Sequence, residues 1–328
     1  MPVVDVHSHF YPPAYLDALT SERTNVRMTF DADGNPLLHY PGDYNIVVPA
    51  HRDIEHRARV VAGQGVDRQI LSLTTPGTHI EEPGRAVELA RIVNDAFAEL
   101  NAVPAGRFRA FATLPLNDPE ASAMELERAL THLGLAGAML FSNVNGEGLA
   151  ERRFWPIYEA ADGLGAVLYI HPTHPLGVEA MTEYWLMPLV GFPFDTTLAA
   201  ARLVFAGVPE RFPRIRWILS HLGGAIPYLA ERLDRGFRAF EECRRYISRP
   251  PSDYLKTEFY YDTVNFDIGA LRLALDFAGP DHVLAGSDFP HQIGSIPSMI
   301  SSIRGLGLSQ AQSAAILGGN ATRLLGLS

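Results

Sequence analysis

The stretch Val3-Val4-Asp5-Val6-His7-Ser8-His9 begins the chain with an apolar run that ends in two histidines one residue apart. In a β-strand, residues i and i+2 point to the same side, so both imidazoles are expected to aim at one point. This pattern is more typical of a metal site than of a core strand. It predicts further ligands at the ends of other strands.

Seven more short apolar runs follow along the chain, and most are continuous enough in Val, Ile, Leu, Ala and Phe to suit strands buried on both faces. Helical patterns separate them, including Arg85–Val103, Pro119–Leu133 after a predicted Asp118 N-cap, and a last helix from a Ser309–Gln312 capping box to about Leu325. This alternation predicts an α/β fold, a (β/α)8 TIM barrel, with a doubly wound open sheet as the alternative. The eight candidate strands are Val3–His9, Gln69–Thr74, Arg109–Leu114, Ala136–Phe141, Ala166–His171, Arg216–His221, Phe259–Thr263 and His282–Ser287.

Two segments interrupt the repeat. Residues from about 20 to 50 are polar and contain a Gly/Pro turn, so they are interpreted either as a hairpin inserted over the barrel mouth or as a plain surface loop. Residues 173–194, after the fifth candidate strand, are also irregular. Residues 1–328 are expected to form a single barrel domain that carries the first insertion after strand 1.

The net charge and the composition argue against several classes of function. A net charge of −10 argues against a surface that binds nucleic acid or anionic membranes. The N-terminus lacks the pattern of a signal peptide, and no apolar run reaches membrane-spanning length. The one cysteine, Cys243, cannot form an internal disulfide. We therefore expect a cytoplasmic protein with a small-molecule partner.

Histidine and aspartate side chains, which can bind metals or transfer protons, recur at the carboxyl ends of the candidate strands. Strand 1 ends in His7 and His9, strand 5 in His171, strand 6 in His221, and Asp288 follows strand 8. In a barrel these ends converge on the face where active sites of this fold lie. Imidazoles and a carboxylate suit zinc and its neighbours, and a catalytic site keeps one position open. The pattern predicts a divalent metal with three or four protein ligands and a remaining group for proton transfer.

Several motifs together resemble the amidohydrolase superfamily. They are Asp5-Val6-His7-Ser8-His9-Phe10, His171-Pro172, Ser220-His221-Leu222-Gly223-Gly224 and Gly286-Ser287-Asp288-Phe289-Pro290. The segments at 193–197, 228–234 and 319–325 resemble those of one branch of this superfamily. That branch contains 2-amino-3-carboxymuconate-6-semialdehyde decarboxylase and related non-oxidative aryl-acid decarboxylases.

The resemblance implies roles for individual residues. His7, His9, His171 and Asp288 would bind one metal per chain, usually Zn²⁺ and in some members Mn²⁺. His221 would be the acid/base residue. Arg232 matches an arginine that binds the substrate carboxylate, in some members in the neighbouring subunit, so a homodimer or homotetramer is expected. The alternative for Arg232 is a surface ion pair with Glu231 or Asp234.

The lysine content predicts how many metals the site holds, and two positions depart from the pattern of the family. Dinuclear members of the superfamily bridge two metals with a carboxylated lysine at the end of strand 4, but that strand here reads Ala138–Ser142 without one, and the only lysine is Lys256. A mononuclear site is therefore predicted. Arg52 matches only by rough position the arginine expected after strand 1, and His291 stands where some decarboxylases carry an aromatic residue.

The predicted function is decarboxylation of a small aromatic or unsaturated carboxylic acid, with Asp288, His221 and Arg232 as catalytic residues. The alternative is a mononuclear metal-dependent hydrolase of a lactone or amide, since the same ligands would serve it. A non-catalytic barrel with a structural metal is less favoured, because structural zinc sites are usually closed and rich in cysteine.

Overall fold

Eight parallel strands form the frame of the structure, a computed structural model that describes residues 2–21, 23–40, 43–101 and 106–327. We number them β1–β8 in chain order. Each strand pairs in parallel with the next. The strands are β1 Val4–His9, β2 Arg68–Ser72, β3 Phe108–Ala110 continued by Ala112–Thr113, β4 Ala138–Phe141, β5 Val167–His171, β6 Arg216–Leu219, β7 Phe259–Asp262 and β8 Val283–Leu284.

Hydrogen bonds between β1 and the residues that directly follow β8 close the barrel. The Val6 amide donates to the Ala285 carbonyl at 2.9 Å, and the Asp288 amide donates to the His7 carbonyl at 2.8 Å. Within β3, the Phe111 amide bonds to Leu71 in β2 at 2.9 Å, which keeps that strand in the ring. The predicted (β/α)8 barrel is confirmed, and the open-sheet alternative is wrong because an open sheet has two unpaired edges.

Helices alternate with the strands around the outside of the barrel. The predicted Asp118 N-cap accepts a hydrogen bond from the Ala121 amide, and the Ser309–Gln312 capping box is present. Val103, where the helix predicted from Arg85 was to end, lies outside the described residues. The helices are α1 Pro13–Ala18, α2 Pro49–Arg52, α3 Ile54–Gly63, α4 Pro83–Asn101, α5 Pro119–Thr131, α6 Trp155–Leu164, α7 Phe192–Phe205, α8 Val208–Arg211, α9 Ile226–Ala239, α10 Pro251–Thr257, α11 Ile268–Ala278, α12 Ile296–Gly305, α13 Gln310–Ala314 and α14 Asn320–Leu324. Within the described ranges, none of them is long and apolar enough to cross a membrane.

The first insertion folds as a small antiparallel sheet of three strands, Arg27–Phe30, Pro36–Tyr40 and Asp43–Ile46, rather than as a simple hairpin. Asn45 fastens this sheet to the barrel, since its amide donates to the Thr75 carbonyl at 2.6 Å and to the Tyr11 hydroxyl at 3.0 Å. Both of those partners follow the carboxyl ends of barrel strands, β1 and β2. We call this element the entrance sheet.

Buried polar side chains tie the carboxyl ends of the strands together. Asp5 accepts hydrogen bonds from the Gln69 side-chain amide at 2.7 Å, from the Ser287 amide at 3.0 Å and from the Ser287 hydroxyl at 2.5 Å. Because these partners lie on β2 and just after β8, the carboxylate links β1 to both of its neighbours. The end of β1, which carries His7 and His9, is thereby held in place.

Candidate metal centre and active site

His7 and His9 both face the barrel interior at the end of β1, as strand alternation predicts. Their Nε2 atoms lie 3.1 Å apart, and both side chains are fully buried. Two imidazole nitrogens that converge in this way suit binding to a shared cation.

His171 at the end of β5 and Asp288 after β8 complete the cluster. Asp288 Oδ1 lies 3.1 Å from His7 Nε2 and 3.2 Å from His9 Nε2. The possible ligand atoms of the four residues all lie within 4.8 Å of one another, and all four residues are buried. Three imidazoles and one carboxylate, with no cysteine, fit a single divalent metal that keeps an open position.

The other ring nitrogen of each histidine is held by a neighbour. His7 Nδ1 lies 2.6 Å from Asp262 Oδ2, His9 Nδ1 lies 3.1 Å from the Ser72 hydroxyl, and His171 Nδ1 lies 2.8 Å from the Pro172 carbonyl. Such contacts fix the tautomer and orientation of metal-binding histidines. They leave Nε2 of His7 and of His9 directed at the centre of the cluster.

Electrostatics in the cluster favour a bound cation. Burial lowers the pKa of His7, but the carboxylates of Asp262 and Asp288 outweigh it and raise that pKa to about 10. Burial lowers the pKa of His9 to about 3 and keeps the pKa of His171 well below its usual range. Burial raises the pKa of Asp288, yet His7 and His9 hold it well below its usual range. The cluster thus holds an ionised carboxylate and attracts positive charge to Nε2 of His7.

Asp262, at the end of β7, is a site residue that the sequence reasoning missed. Its Oδ2 contacts His7, while its Oδ1 accepts hydrogen bonds from the Leu222 and Val264 amides, both at 3.0 Å. One buried carboxylate therefore orients a metal-cluster histidine and the loop after β6. The signal available in the sequence was an acidic residue at the carboxyl end of the seventh strand, in Tyr261-Asp262-Thr263.

His221 lies beside the cluster rather than in it. Its Nε2 is 3.9 Å from Asp288 Oδ2, and its Nδ1 is 3.1 Å from the Ser220 hydroxyl. Burial and the neighbouring His7 lower the pKa of His221 to about 4. The backbone at His221, Leu222 and Asp288 has positive φ angles of 52°, 59° and 58°, which cost energy in non-glycine residues and cluster at functional sites.

A cavity of about 370 Å³ adjoins the cluster and reaches His171, His221 and Asp288. Residues of the entrance sheet line it, as do apolar side chains from the segment after β5, including Trp185 and Phe192. This volume falls within the range of small-molecule sites. His51 and His291 also line the cavity.

Arg232 does not reach this cavity. It lies exposed on α9, and the predicted ion pair is not formed, since Glu231 pairs with Arg235 at 3.0 Å and with Arg238 at 2.8 Å. Asp234 is buried and accepts from Ser252. Within the described part of the chain Arg232 has no hydrogen-bond or charge partner.

Two other basic residues have positions that the sequence did not indicate. Arg52 donates from Nε to the Val47 carbonyl at 3.3 Å and does not line the cavity. Arg57 is fully buried, donates to the His9 carbonyl at 2.6 Å, and lies 5.0 Å from the Phe289 ring. Burial lowers the pKa of Arg57 to about 9. Arg57 therefore holds the backbone of β1 in place.

Lys256 lies on α10, with its ammonium 5.2 Å from the ring of Phe277 on α11. It is therefore on the outer helical layer, and β4 carries no lysine.

A buried cluster of three histidines and one aspartate at the carboxyl end of a closed parallel barrel, next to a ligand-sized cavity, defines a metal-dependent enzyme of the (β/α)8 class. The chain belongs to the amidohydrolase family, whose model matches residues 4–327. The resemblance inferred from the motifs is thereby confirmed.

Individual relatives are decarboxylases. The chain is 34% identical over 280 residues to 2-amino-3-carboxymuconate-6-semialdehyde decarboxylase of Dictyostelium discoideum. This alignment covers 84% of this chain and 77% of the Dictyostelium protein. The structure of 5-carboxyvanillate decarboxylase from Sphingomonas paucimobilis has a TM-score of 0.87 and 28% identity, covering 100% of this chain and 99% of the other. A dihydroxybenzoic acid decarboxylase from Polaromonas sp. JS666, solved with manganese and the inhibitor 2-nitroresorcinol, has a TM-score of 0.84 and 29% identity, covering 99% and 97%.

Proposed function

We propose that this protein is a metal-dependent, non-oxidative decarboxylase that releases CO₂ from a small aromatic carboxylic acid, acting as one barrel domain over residues 1–328. The observation that carries the proposal is the buried cluster of His7, His9, His171 and Asp288 beside a cavity of about 370 Å³. The decarboxylase relatives support the reaction class. The cytoplasmic location stays a prediction.

The four clustered residues are proposed to hold one divalent metal. Zn²⁺ is the first expectation, and Mn²⁺ is the alternative supported by the manganese in the Polaromonas enzyme. When bound, the metal would supply Lewis acidity toward a substrate oxygen next to the reacting carboxylate. Metal analysis of the purified protein tests the site, and clearly more than one tightly bound ion per chain would contradict it.

Decarboxylation converts the bond between the ring carbon and the carboxylate into a C–H bond and CO₂, so the site must deliver one proton to that carbon. Asp288 and His221 are proposed as the proton carriers, because Asp288 Oδ2 and His221 Nε2 are 3.9 Å apart and both residues line the cavity. The pKa of His221 is lowered to about 4, and the pKa of Asp288 lies well below its usual range. The proton is therefore taken up from solvent or substrate before it is passed to the ring carbon.

Arg232 is proposed to bind the substrate carboxylate of a neighbouring subunit in a homodimer or homotetramer. Tyr228, one turn earlier on α9, is 77% exposed, and Phe194 on α7 is 57% exposed. The Ala225 amide bonds to the Thr197 hydroxyl at 2.8 Å, so the start of α9 lies beside α7. The two adjoining helices α7 and α9 thus carry exposed aromatic side chains, and α9 also carries Arg232, which supports a subunit interface here.

Mixing two inactive variants tests this sharing. His221→Ala and Arg232→Ala are each expected to lose activity alone. After mixing and subunit exchange, half of the dimers carry one intact site, so about a quarter of wild-type activity returns. A mixture that stays inactive would place Arg232 in its own subunit, and full activity of Arg232→Ala would remove it from the mechanism. Arg235→Ala, one turn away on the same helix, is the matched control.

The alternative function is hydrolysis of a lactone or amide, for which the same ligands would serve. The two reactions are distinguished by incubating the metal-loaded protein with hydroxybenzoates and with lactones, while measuring CO₂ release and ring opening separately. We expect CO₂ from at least one hydroxybenzoate and no ring opening. Ring opening without CO₂ would reverse the assignment.

A further inference from the structure

The first turn of α7 has no role in the reaction described so far. Its residues, Pro193-Phe194-Asp195-Thr196-Thr197, follow directly on Phe192, which lines the cavity. Asp195, Thr196 and Thr197 are all buried, with at most 7% of their surface exposed. Buried polar side chains normally find hydrogen-bond partners, so this turn is expected to bond to the loops around it.

Asp195 contacts the loop that follows β4. Its Oδ2 atom accepts a hydrogen bond from the Ser142 hydroxyl and another from the Asn143 side-chain amide at 2.9 Å. The Ser142 hydroxyl also accepts from the Thr173 amide at 3.3 Å. The Asn143 side-chain amide also donates to the His174 carbonyl at 2.9 Å. One buried carboxylate therefore orients the two side chains that hold the backbone directly after β5.

The direction of the His171 ring depends on that backbone. His171 Nδ1 lies 2.8 Å from the carbonyl oxygen of Pro172, the next residue along the chain. The His171 carbonyl in turn accepts from the Ser142 amide at 2.8 Å. This histidine of the metal cluster is thus held by main-chain atoms at the strand end, and a shift of the chain at residues 172–174 would turn its ring. Asp195 opposes such a shift through Ser142 and Asn143.

Thr197 contacts the loop that follows β6. Its hydroxyl donates to the Pro193 carbonyl at 2.7 Å and accepts from the Ala225 amide at 2.8 Å. Gly224, with a φ of 59°, packs against the same turn so closely that a Cβ atom would collide with the Pro193 carbonyl oxygen. The Gly224 amide bonds to the His221 carbonyl at 2.9 Å. Thr197 therefore fixes the loop that carries His221.

The two loops meet at the reaction centre, because His171 and His221 both line the cavity and their ring centroids are 5.6 Å apart. We propose that Asp195 and Thr197 are positioning residues, which hold these two histidines at this separation and do not themselves line the cavity. A misplacement of about 1 Å can cost about 100-fold in rate, so the spacing of a metal ligand and a proton carrier matters directly. This inference rests on the proposed function for the role of His221, whereas the role of Asp195 requires only that His171 binds a metal.

The metal affinity tests Asp195. We expect Asp195→Ala to weaken Zn²⁺ binding by about 10-fold, the lower end of the range for groups behind metal ligands, because the carboxylate acts through an intervening loop. Asp195→Asn keeps an oxygen for Ser142 and Asn143, so its affinity should stay within about threefold of wild type. In the His171→Ala background, Asp195→Ala should cause no further loss. An equal loss in both backgrounds would overturn the role of Asp195, and Ser142→Ala gives the same cycle from the other side of the contact if Asp195→Ala does not fold.

The rate of CO₂ release tests Thr197. Thr197→Val replaces the hydroxyl with a methyl group of similar size, and we expect kcat to fall by about 10-fold or more while the Zn²⁺ affinity is unchanged. Thr197→Ser keeps the hydroxyl and should restore most of the rate. In the His221→Ala background, Thr197→Val should have no further effect on the residual rate, and an equal fall in both backgrounds would overturn the role of Thr197. Thr196→Val is the matched control and should equal wild type in both measurements, because the buried Thr196 hydroxyl has no partner among the described residues.

Two results separate this inference from the reaction itself. If no acid releases CO₂ while Asp195→Ala weakens metal binding through His171, the role of Asp195 stands, and both the decarboxylase assignment and the role of Thr197 fail. If CO₂ is released while Asp195→Ala and Thr197→Val bind Zn²⁺ and turn over like Thr196→Val, both positioning roles are rejected and the reaction stands.

Discussion

Asp262→Asn gives the sharpest test of how the metal cluster is built. The carboxylate lies 2.6 Å from His7 Nδ1 through Oδ2, and its Oδ1 accepts from the Leu222 and Val264 amides at 3.0 Å. Asparagine must keep its oxygen toward those two amides, because its NH₂ group cannot accept from them. The NH₂ group is then placed against His7 Nδ1.

In that arrangement the asparagine donates to Nδ1, so the proton of a neutral His7 moves to Nε2, the atom that faces the centre of the cluster. Loss of a carboxylate behind a metal-binding histidine typically costs 10–100-fold in metal affinity, or about 1.4–2.8 kcal/mol. We expect the upper end of this range, because the tautomer as well as the charge is changed. The fold should be retained, since both backbone amides keep their acceptor.

The measurement is the dissociation constant for Zn²⁺ and Mn²⁺ by competition with a chromogenic chelator, together with the melting temperature of the metal-free protein. Asp276→Asn, an exposed aspartate on α11, is the matched control and should bind metal like wild type. An affinity of Asp262→Asn within about twofold of wild type would refute the reasoning. Asp262→Ala should differ by also destabilising the metal-free fold, by about 1–3 kcal/mol for each unpaired amide.

Four further outcomes follow from the geometry. His221→Ala should keep its metal while CO₂ release falls by more than about 100-fold, and a loss of metal would make His221 a ligand. Asp288→Asn should lose activity to a similar or greater extent, and a near-normal rate would remove Asp288 from the mechanism. Dialysis against a chelator should lower the melting temperature by about 4 °C, since a ligand at 100 times its dissociation constant adds about 2.7 kcal/mol of stability; an unchanged melting curve would contradict a tightly bound ion. Because the pKa of His7 is raised to about 10, metal binding near neutral pH should release about one proton, so affinity should rise about tenfold per pH unit; calorimetry in buffers of different ionisation enthalpy would contradict this if no proton were released.

The cluster residues could be predicted from sequence because each of them is marked locally. A two-residue alternation places His7 and His9 on one side of a strand, and the carboxyl ends of parallel strands meet on one face of a barrel. His171 and Asp288 could be added without any knowledge of distances. The same locality explains why the capping residues Asp118 and Ser309 were predicted correctly.

Asp262 and the cavity residue His51 could not be assigned in the same way. Asp262 contacts His7 across 255 residues of sequence, and an aspartate at a strand end does not reveal which of its oxygens will meet which partner. His51 is special only because both of its ring nitrogens are buried without a partner among the described residues, which depends on how the rings of Tyr11 and His291 pack against it.

The entrance sheet shows that the structure of a whole inserted segment could not be predicted from sequence either. Its polar, turn-containing composition fitted a hairpin or a loop, whereas the structure pairs three strands and uses Asn45 to fasten them to the barrel. The decisive contacts are with residues of the loops after β1 and β2. No pattern within residues 20–50 encodes them.

The sequence by itself determined the barrel, the placement of His7, His9, His171, His221 and Asp288 at strand ends that meet on one face, and the absence of a lysine from the end of the fourth strand, because strand periodicity, strand ends and residue counts are local properties. Only the tertiary structure decided which nitrogens face the centre, that Asp262 orients His7, that Arg232 does not line the cavity of its own chain, and that His51 and His291 do line it. The physical reason is that hydrogen-bond partners and burial are fixed when the barrel closes between Val6 and Ala285, which brings distant parts of the chain into contact.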